Sequence, residues 1–375
     1  MKVGIPKEIA SNERRVALVP EAVGTVAKAG TEVLVEVGAG EGAYIPDRAF
    51  EEAGATLALD ARALFSQAEV ILKVQAPVLN TALGSHEVEL IREGAVLITL
   101  LQPQSDPDLV KRLADRKITS FSMDRIPRIA RAQKMDALSS QSTVAGYKAV
   151  LTAASSLGKF LPMLVTAAGT VPPAKVLVLG AGVAGLQAIA TARRLGAVVQ
   201  AYDIRPAVKE QVESLGGTFV ELDLAGEQTE DASGYARELT GESRERESVL
   251  LRRHVPQADI VITTALIPGR RAPILITDEM VQEMKRGSVV VDLAAETGGN
   301  CELTEPGRTV SKHGVIIHGE LNIPSTVPLH ASQMYSRNIS SLLLHLVRNG
   351  ALDLDFNDPI TNDTCITHEG RVRHP

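Results

Sequence analysis

Residues 127–142 read PRIARAQKMDALSSQS. Within about three helical turns of chain they carry Arg128, Gln133, Asp136 and Ser139. A guanidinium, an amide, a carboxylate and a hydroxyl can hydrogen-bond a carboxamide and a ribose and can orient a ring. They are poor proton acceptors at neutral pH. A dehydrogenase acting on an alcohol or an amine needs such an acceptor, usually His, Lys or Tyr, because a proton leaves together with the hydride. When both reactants are nicotinamides, no proton leaves the reacting carbon, and the protein has only to bind and align two rings. From spacing alone the same stretch reads rather as a helix approach with a surface ion pair, and both readings stand at this point.

Shortly downstream lies KVLVLGAGVAG, with Gly180, Gly182 and Gly185 in G-x-G-x-x-G spacing. An apolar strand precedes it, an Ala-rich helix over 185–195 follows, and a second strand ends at Asp203, 18 residues after Gly185. Gly180 permits a tight turn, Gly182 lets the backbone approach a pyrophosphate, and Gly185 lets helix and strand pack closely. The helix N-terminus offers N–H donors and partial positive charge to the phosphates. The competing reading is a glycine turn without a ligand. Asp203 is placed to accept from an adenosine ribose diol, and its charge would repel a 2′-phosphate, which favours NAD over NADP. Arg205 could instead accept that phosphate, or pair with Asp203, or face solvent. TTALIPG, residues 263–269, ends a later strand; Ala265 and Leu266 would wall the adenosine, or form a plain strand-end turn.

The elements that must hold these residues alternate. KVGI, TEVLVEV, EVILKV, AVLITLL and KITSFSM read as strands, being short and β-branched. PEAVGTVAKAG, DARALFSQA, HEVELIREG and DPDLVKRLADR between them carry helical spacing. Residues 139–157 read as one long helix bridging two domains. A second alternation follows in KVLVLG, VVQAYDI, TFVEL, DIVITTA, SVVVDLA and GVIIHG, with EPGRTVSKHG as a turn between the last two. Residues 225–238 read as a surface loop, and the charged helix after it, to about residue 253, as a solvated face. After residue 324 comes a helix and then CITHEGRVRH, a hairpin turning at Gly370. The expected fold is α/β: two Rossmann-like, doubly wound parallel-sheet domains with a cleft between them. The first domain is discontinuous, 1–136 plus 325–375, and 137–324 is the dinucleotide-binding domain.

Composition narrows the partners. Hydrophobic residues make up 45 % of the 375, enough for a core in each domain. Aromatics are 3 % and Trp is absent, so a stacking platform for single-stranded nucleic acid is not expected. A net charge of −6 without a basic block argues against a polyanion partner. The start, MKVGIPKEIASNERR, has no apolar run of a signal peptide. The longest weakly apolar region, 160–192, is broken by Pro172, Pro173 and Lys175, so no membrane insertion is expected. Cys301 and Cys365 form neither a C-x-x-C pair nor a metal-spaced set; both read as reduced thiols of a cytoplasmic protein, and no metal is expected.

PRIARAQKMDALSSQSTVAGY, TAAGTVPPAKVLVLGAGVAGLQAIATARRLGA, TTALIPG and LAAETGGNCELTEPG resemble the NAD(H)-binding soluble domain of proton-translocating NAD(P) transhydrogenases, in the alanine dehydrogenase/transhydrogenase family. The resemblance runs nearly end to end. In organisms with a split enzyme this domain is the first portion of the alpha subunit. The resemblance implies direct hydride transfer between NADH here and NADP+ on a partner subunit, with almost no turnover by the chain alone. It implies NADP(H)-binding and membrane-spanning partner subunits, proton translocation by the assembly, a homodimer, and a cytoplasmic location on the inner face of the plasma membrane through those partners. It assigns Arg128, Gln133, Asp136 and Ser139 to the loop that holds the nicotinamide end. Around the cofactor it adds Ile129, Ala181, Val183, Ala184, Ile204, Thr264 and Gly234, and it makes Tyr235 the tyrosine of a mobile loop that closes over the nucleotide.

The runner-up is an NAD-dependent amino-acid dehydrogenase resembling alanine dehydrogenase, whose start GIPKEIASNERRVALVP also resembles. Where that enzyme has a histidine, this chain has Gln102; where it has an aspartate before a Gly-Gly pair, this chain has Glu296. Arg15 and Lys73, which match its substrate-carboxylate residues, remain, and are expected to pair with local acids. Glu296 is expected to hydrogen-bond within the Gly298–Gly299 loop rather than act as a base. His318 and His330 sit in no triad or metal spacing. GAGEGAYIPD lacks the Lys-Ser/Thr of a P-loop and reads as a turn.

Overall fold

A computed structural model describes residues 1–222, 239, 241–267 and 270–374. The chain divides into two compact units, Met1–Gln141 with Pro324–Pro375, and Ser142–Ile323. Each is built on one mostly parallel sheet, as the alternation of short β-branched runs and helices requires.

In the first unit the sheet runs in the order Arg371–Val372, Cys365–His368, Thr119–Ser122, Val96–Leu100, Val70–Gln75, Lys2–Ile5, Glu32–Glu36, Thr56–Ala58. The pairs from Thr119–Ser122 through Thr56–Ala58 are parallel, and the C-terminal hairpin adds the antiparallel edge. Every residue of Val96–Leu100 is buried, as in a strand covered on both faces. The helix Pro328–Leu346 brings Tyr335, Ile339, Leu342 and Leu343 into the same core as Val3, Val35, Val70 and Ile98. Helix starts follow local chemistry: Asp60 accepts from Ala63 N at 2.8 Å, and Asp106, followed by Pro107, accepts from Leu109 N at 2.9 Å.

In the second unit the order is Thr218–Phe219, Val198–Tyr202, Lys175–Leu179, Ile260–Thr263, Val289–Asp292, Val315–His318, Thr309–Lys312. All pairs are parallel except the last. This overturns the expectation of a mere turn in EPGRTVSKHG: Thr309–Lys312 pairs in register with Val315–His318 through a turn in which His313 has φ 53° and Gly314 φ 83°. Its residues alternate exposed and half-buried, the pattern of a polar edge strand, which carries no run of apolar residues to announce it.

Other differences are of extent. Thr56–Ala58 is a strand too short to show in the sequence pattern. The expected helix over 86–94 is one turn, Glu87–Leu90. The long helix begins earlier, at Ala137, and runs to Ser156. The charged helix Gly241–His254 is largely exposed but buries Glu247 and Leu251. Both cysteines are buried and unbridged. Among the described residues no helix is long and apolar enough to cross a membrane.

Candidate nucleotide-binding site

The second sheet reverses its strand order between Lys175–Leu179 and Ile260–Thr263. In an open α/β sheet a binding crevice forms beyond the carboxyl ends of the strands at such a reversal. The three motif glycines occupy that point and differ in why each lacks a side chain. Gly180 turns with φ 97°, and a Cβ there would lie 2.5 Å from Thr264 Oγ1. Gly185 lies in the first turn of the helix Val183–Arg194, and its Cβ would lie 1.9 Å from the Gly180 carbonyl oxygen. A Cβ on Gly182 would meet nothing within 4 Å. The protein's own packing therefore demands glycine at 180 and 185, whereas the space beside Gly182, at the N-cap of that helix, is open to a ligand.

The cradle is tied to its neighbours. Thr264 Oγ1 donates to the Gly180 carbonyl at 3.0 Å, and Gly180 N donates to the Tyr202 carbonyl at 2.8 Å. Asp203 follows Tyr202 at the end of the neighbouring strand and is 8 % exposed. Its carboxylate accepts from Ala181 N at 2.7 Å and from the Arg205 guanidinium through Nε at 2.9 Å and Nη2 at 2.8 Å. Of the three readings open for Arg205, pairing with Asp203 is the one adopted. Val183 and Leu266 are exposed, while Ala184, Ile204, Thr264 and Ala265 are half-buried. Gly234 and Tyr235 lie outside the described residues.

Sequence reasoning missed three residues that shape this end of the sheet. Asp292, fully buried, accepts from Thr263 Oγ1, Ala294 N, Asn300 N, Cys301 N and Thr304 Oγ1, at 2.6–3.0 Å. Asn300, also fully buried, clasps the Ala265 peptide, accepting from its N–H at 3.0 Å and donating to its carbonyl at 2.9 Å. Gly146 lies against Ala184. The local signal for Asp292 and Asn300 was slight, polar residues flanking an otherwise apolar strand and a Gly-Gly turn; for Gly146 there was none.

In the first unit, Arg128 and Gln133 are exposed, Ile129 is half-buried against the core, and Asp136 and Ser139 are half-buried. Asp136 directly precedes the helix Ala137–Ser156 and caps it, accepting from Ser139 N at 2.9 Å and Ser139 Oγ at 2.6 Å. The loop is pinned from below by buried Ala132 and Met135. Arg131 adds a two-pronged ion pair with Asp358 at 2.5 and 2.9 Å, and Asn338 Nδ2 donates to the Lys134 carbonyl at 3.0 Å.

The remaining candidates are engaged structurally. Arg15 is paired with Glu13 through Nη2 at 2.6 Å and Nε at 2.8 Å, and donates to Gln141 Oε1 at 2.8 Å. Burial pushes the Glu13 carboxyl up, but Arg15 and Gln75 outweigh it and hold the group at about 2. Lys73, fully buried, reaches Glu8 at 3.1 Å and Glu87 at 2.9 Å. Burial opposes its charge, yet the two carboxylates hold it above the usual lysine range. Burial raises the Glu8 carboxyl, and the charge of Glu87 adds to this against the opposing pull of Lys73. Glu296 accepts from Asn322 N at 2.7 Å, so its partner is not the Gly298–Gly299 loop expected from sequence. His318 bridges Ser156 Oγ at 2.9 Å and Thr309 Oγ1 at 3.0 Å, and burial lowers it. Gln102 has φ 47° and donates its N–H to Asp124 at 3.1 Å.

Comparison with known proteins agrees with this architecture. The family model described as alanine dehydrogenase/PNT, N-terminal domain, matches residues 4–145, and the alanine dehydrogenase/PNT, C-terminal domain, matches residues 149–375. The chain is 51 % identical over 378 residues to the first portion of the NAD(P) transhydrogenase alpha subunit of Rhodospirillum rubrum, covering 100 % of this chain and 98 % of that protein. A solved transhydrogenase from Sinorhizobium meliloti matches with TM-score 0.89 and 46 % identity over 99 % of this chain and 100 % of that one. A solved L-alanine dehydrogenase matches with TM-score 0.83 and 29 % identity over 100 % and 97 %. With both domains of the family present in sequence and its two parallel-sheet units matching in fold, the chain belongs to the alanine dehydrogenase/transhydrogenase (PNT) family.

Proposed function

We propose that this chain is the NAD(H)-binding component of a proton-translocating NAD(P) transhydrogenase, in which hydride passes directly between NADH held here and NADP+ held by a partner subunit. The observation that carries the cofactor is the cradle: glycine is imposed by packing at 180 and 185, is free of any packing demand at 182, and lies beside an acid at the strand-order reversal. The helix start at Val183 and Ala184 receives the pyrophosphate, Asp203 takes the adenosine ribose, and Ile204, Thr264, Ala265 and Leu266 wall the adenosine. Arg128, Ile129, Gln133, Asp136 and Ser139 hold the nicotinamide end. The bound nicotinamide supplies the hydride chemistry. This chain's own side chains bind, orient and exclude water, and none is required to take up a proton.

The partner assignment rests on the Rhodospirillum rubrum relative, whose name makes it one portion of a divided alpha subunit and which this chain matches along its full length. The partners are an NADP(H)-binding subunit and a membrane-spanning subunit that moves the protons. Through them a homodimer of this chain sits on the inner, cytoplasmic face of the plasma membrane. The alternative, an amino-acid dehydrogenase, is disfavoured by two observations. By the resemblance, Gln102 stands where alanine dehydrogenase has a histidine, and Arg15 and Lys73 already carry carboxylate partners from this chain.

The test is partner addition. The chain alone should bind NADH with almost no turnover and should support NADH-dependent reduction of an NADP-type acceptor once the NADP-binding partner is present. Robust NADH oxidation by pyruvate and ammonium without any partner would establish the dehydrogenase instead.

A further inference from the structure

Asp203 receives four hydrogen bonds from described residues. Oδ1 accepts from Arg205 N and Arg205 Nε, both at 2.9 Å. Oδ2 accepts from Ala181 N at 2.7 Å and Arg205 Nη2 at 2.8 Å. A carboxylate offers about four lone-pair positions, so each has its donor. Two of the donors are backbone amides and are fixed by the cradle and the strand exit. The other two are the prongs of one guanidinium, a pair of parallel N–H groups laid across both oxygens. A vicinal diol would present two O–H donors to the same two oxygens. The diol and the guanidinium cannot both be served.

We propose that Arg205 competes with the adenosine ribose for Asp203, so that NADH must displace the guanidinium to dock and the ion pair sets part of the cofactor affinity. This rests on the reading that the cradle binds NAD(H). The pair is largely withdrawn from water, with side-chain exposures of 16 % for Arg205 and 5 % for Asp203, so its attraction is screened less than that of a solvated surface pair. The Arg205 backbone N–H keeps its bond to Oδ1 when the side chain leaves, so displacement needs only side-chain rotation. The same competition acts on selectivity. A 2′-phosphate removes one diol donor and adds an anion, which retains the guanidinium rather than expelling it. Removing the guanidinium should therefore move the affinities for the two dinucleotides in opposite directions.

The experiment titrates wild-type chain, Arg205→Gln and Arg205→Lys with NADH, NADPH and reduced nicotinamide mononucleotide, following nicotinamide fluorescence, with a thermal melt of each protein as a check of folding. Arg205→Gln should bind NADH roughly three- to tenfold tighter, in the range of one charge-assisted hydrogen bond partly repaid by solvent. It should bind NADPH more weakly and the mononucleotide, which has no adenosine ribose, unchanged. Arg205→Lys keeps the charge without the fork and should fall between wild type and Arg205→Gln for NADH; it carries the test if the glutamine variant does not fold. NADH affinity unchanged or weakened in both variants, with wild type binding normally, overturns the competition and leaves the cofactor reading standing. Wild-type chain that binds no NADH at all overturns both.

Discussion

Gly146, buried in the middle of the helix Ala137–Ser156, lies directly against Ala184 at the start of the cradle helix; a Cβ on it would stand 2.0 Å from the Ala184 carbonyl oxygen. The long helix therefore touches the cradle backbone to backbone. Alanine is favoured over glycine by about 1 kcal/mol inside a helix, so helix propensity alone makes Gly146→Ala stabilising. The contact predicts the opposite sign: a loss of about 1–3 kcal/mol as the backbones part, together with weaker NADH binding because Ala184 carries the cradle helix. Chemical denaturation and an NADH titration of the variant check both. A more stable variant with unaltered affinity would show the contact to be loose.

Asp136 has a structural task as well as a proposed one, and two substitutions separate them. Asparagine is as good an N-cap as aspartate, whereas alanine costs about 1 kcal/mol. Asp136→Asn should melt like wild type, bind NADH nearly as well, and lose most of the hydride exchange; Asp136→Ala should lose stability too. Gln133→Ala, on an exposed side chain, should likewise depress exchange more than binding. Equal losses of exchange and binding in Asp136→Asn would reduce the loop to a nucleotide clamp.

Acid stability should report on Glu13. Its carboxyl is held at about 2 in the folded chain against an ordinary value of 4.5. A depressed folded value contributes stability that is complete above about pH 4.5 and is lost as pH falls toward 2, a contribution of roughly 3 kcal/mol. Glu13→Gln should be destabilised at pH 6, where Arg15 loses its charged partner, and the gap to wild type should narrow between pH 5 and pH 3. Urea denaturation across that range decides it; a constant gap would remove Glu13 as the source.

Asp292 is a test of how the proposed adenosine wall is held. Its two oxygens serve five donors and touch no cation in the described contacts. Asp292→Asn turns one acceptor into a donor facing donors, leaving at least one buried N–H unmatched, at about 1–3 kcal/mol each. The variant should melt several degrees lower, and Asn300→Ala, which releases the Ala265 peptide and the Pro273 carbonyl, should weaken NADH binding and lower the melt as well. A melt unchanged in Asp292→Asn would contradict the hub.

The residues alone disclosed whatever is written in short-range pattern. Short β-branched apolar runs and helical spacing located nearly all the central strands and the helices between them, because a strand buried on both faces must be a continuous apolar run. Glycine spacing located the cradle, because Gly180 turns at positive φ and Gly185 packs on the Gly180 carbonyl five residues before it, although the Thr264 contact at Gly180 comes from far along the chain. The CITHEGRVRH hairpin was legible from its turn, where Glu369 and Gly370 take positive φ. Folding settled what depends on partners far along the chain. The polar strand Thr309–Lys312 has no apolar signature and is a strand because Val315–His318 offers it an edge. Gly146 meets Ala184 across 38 residues, and Asn300 meets Ala265 across 35. Whether Arg205 would hold Asp203, face solvent or await a phosphate turned on a side-chain rotamer, and Asp203 fixed it by presenting both oxygens at the strand exit. Local pattern encodes which backbone each segment adopts; the pairing of buried polar groups is settled only when distant segments meet, because each must find its hydrogen-bond partner there or not be buried at all.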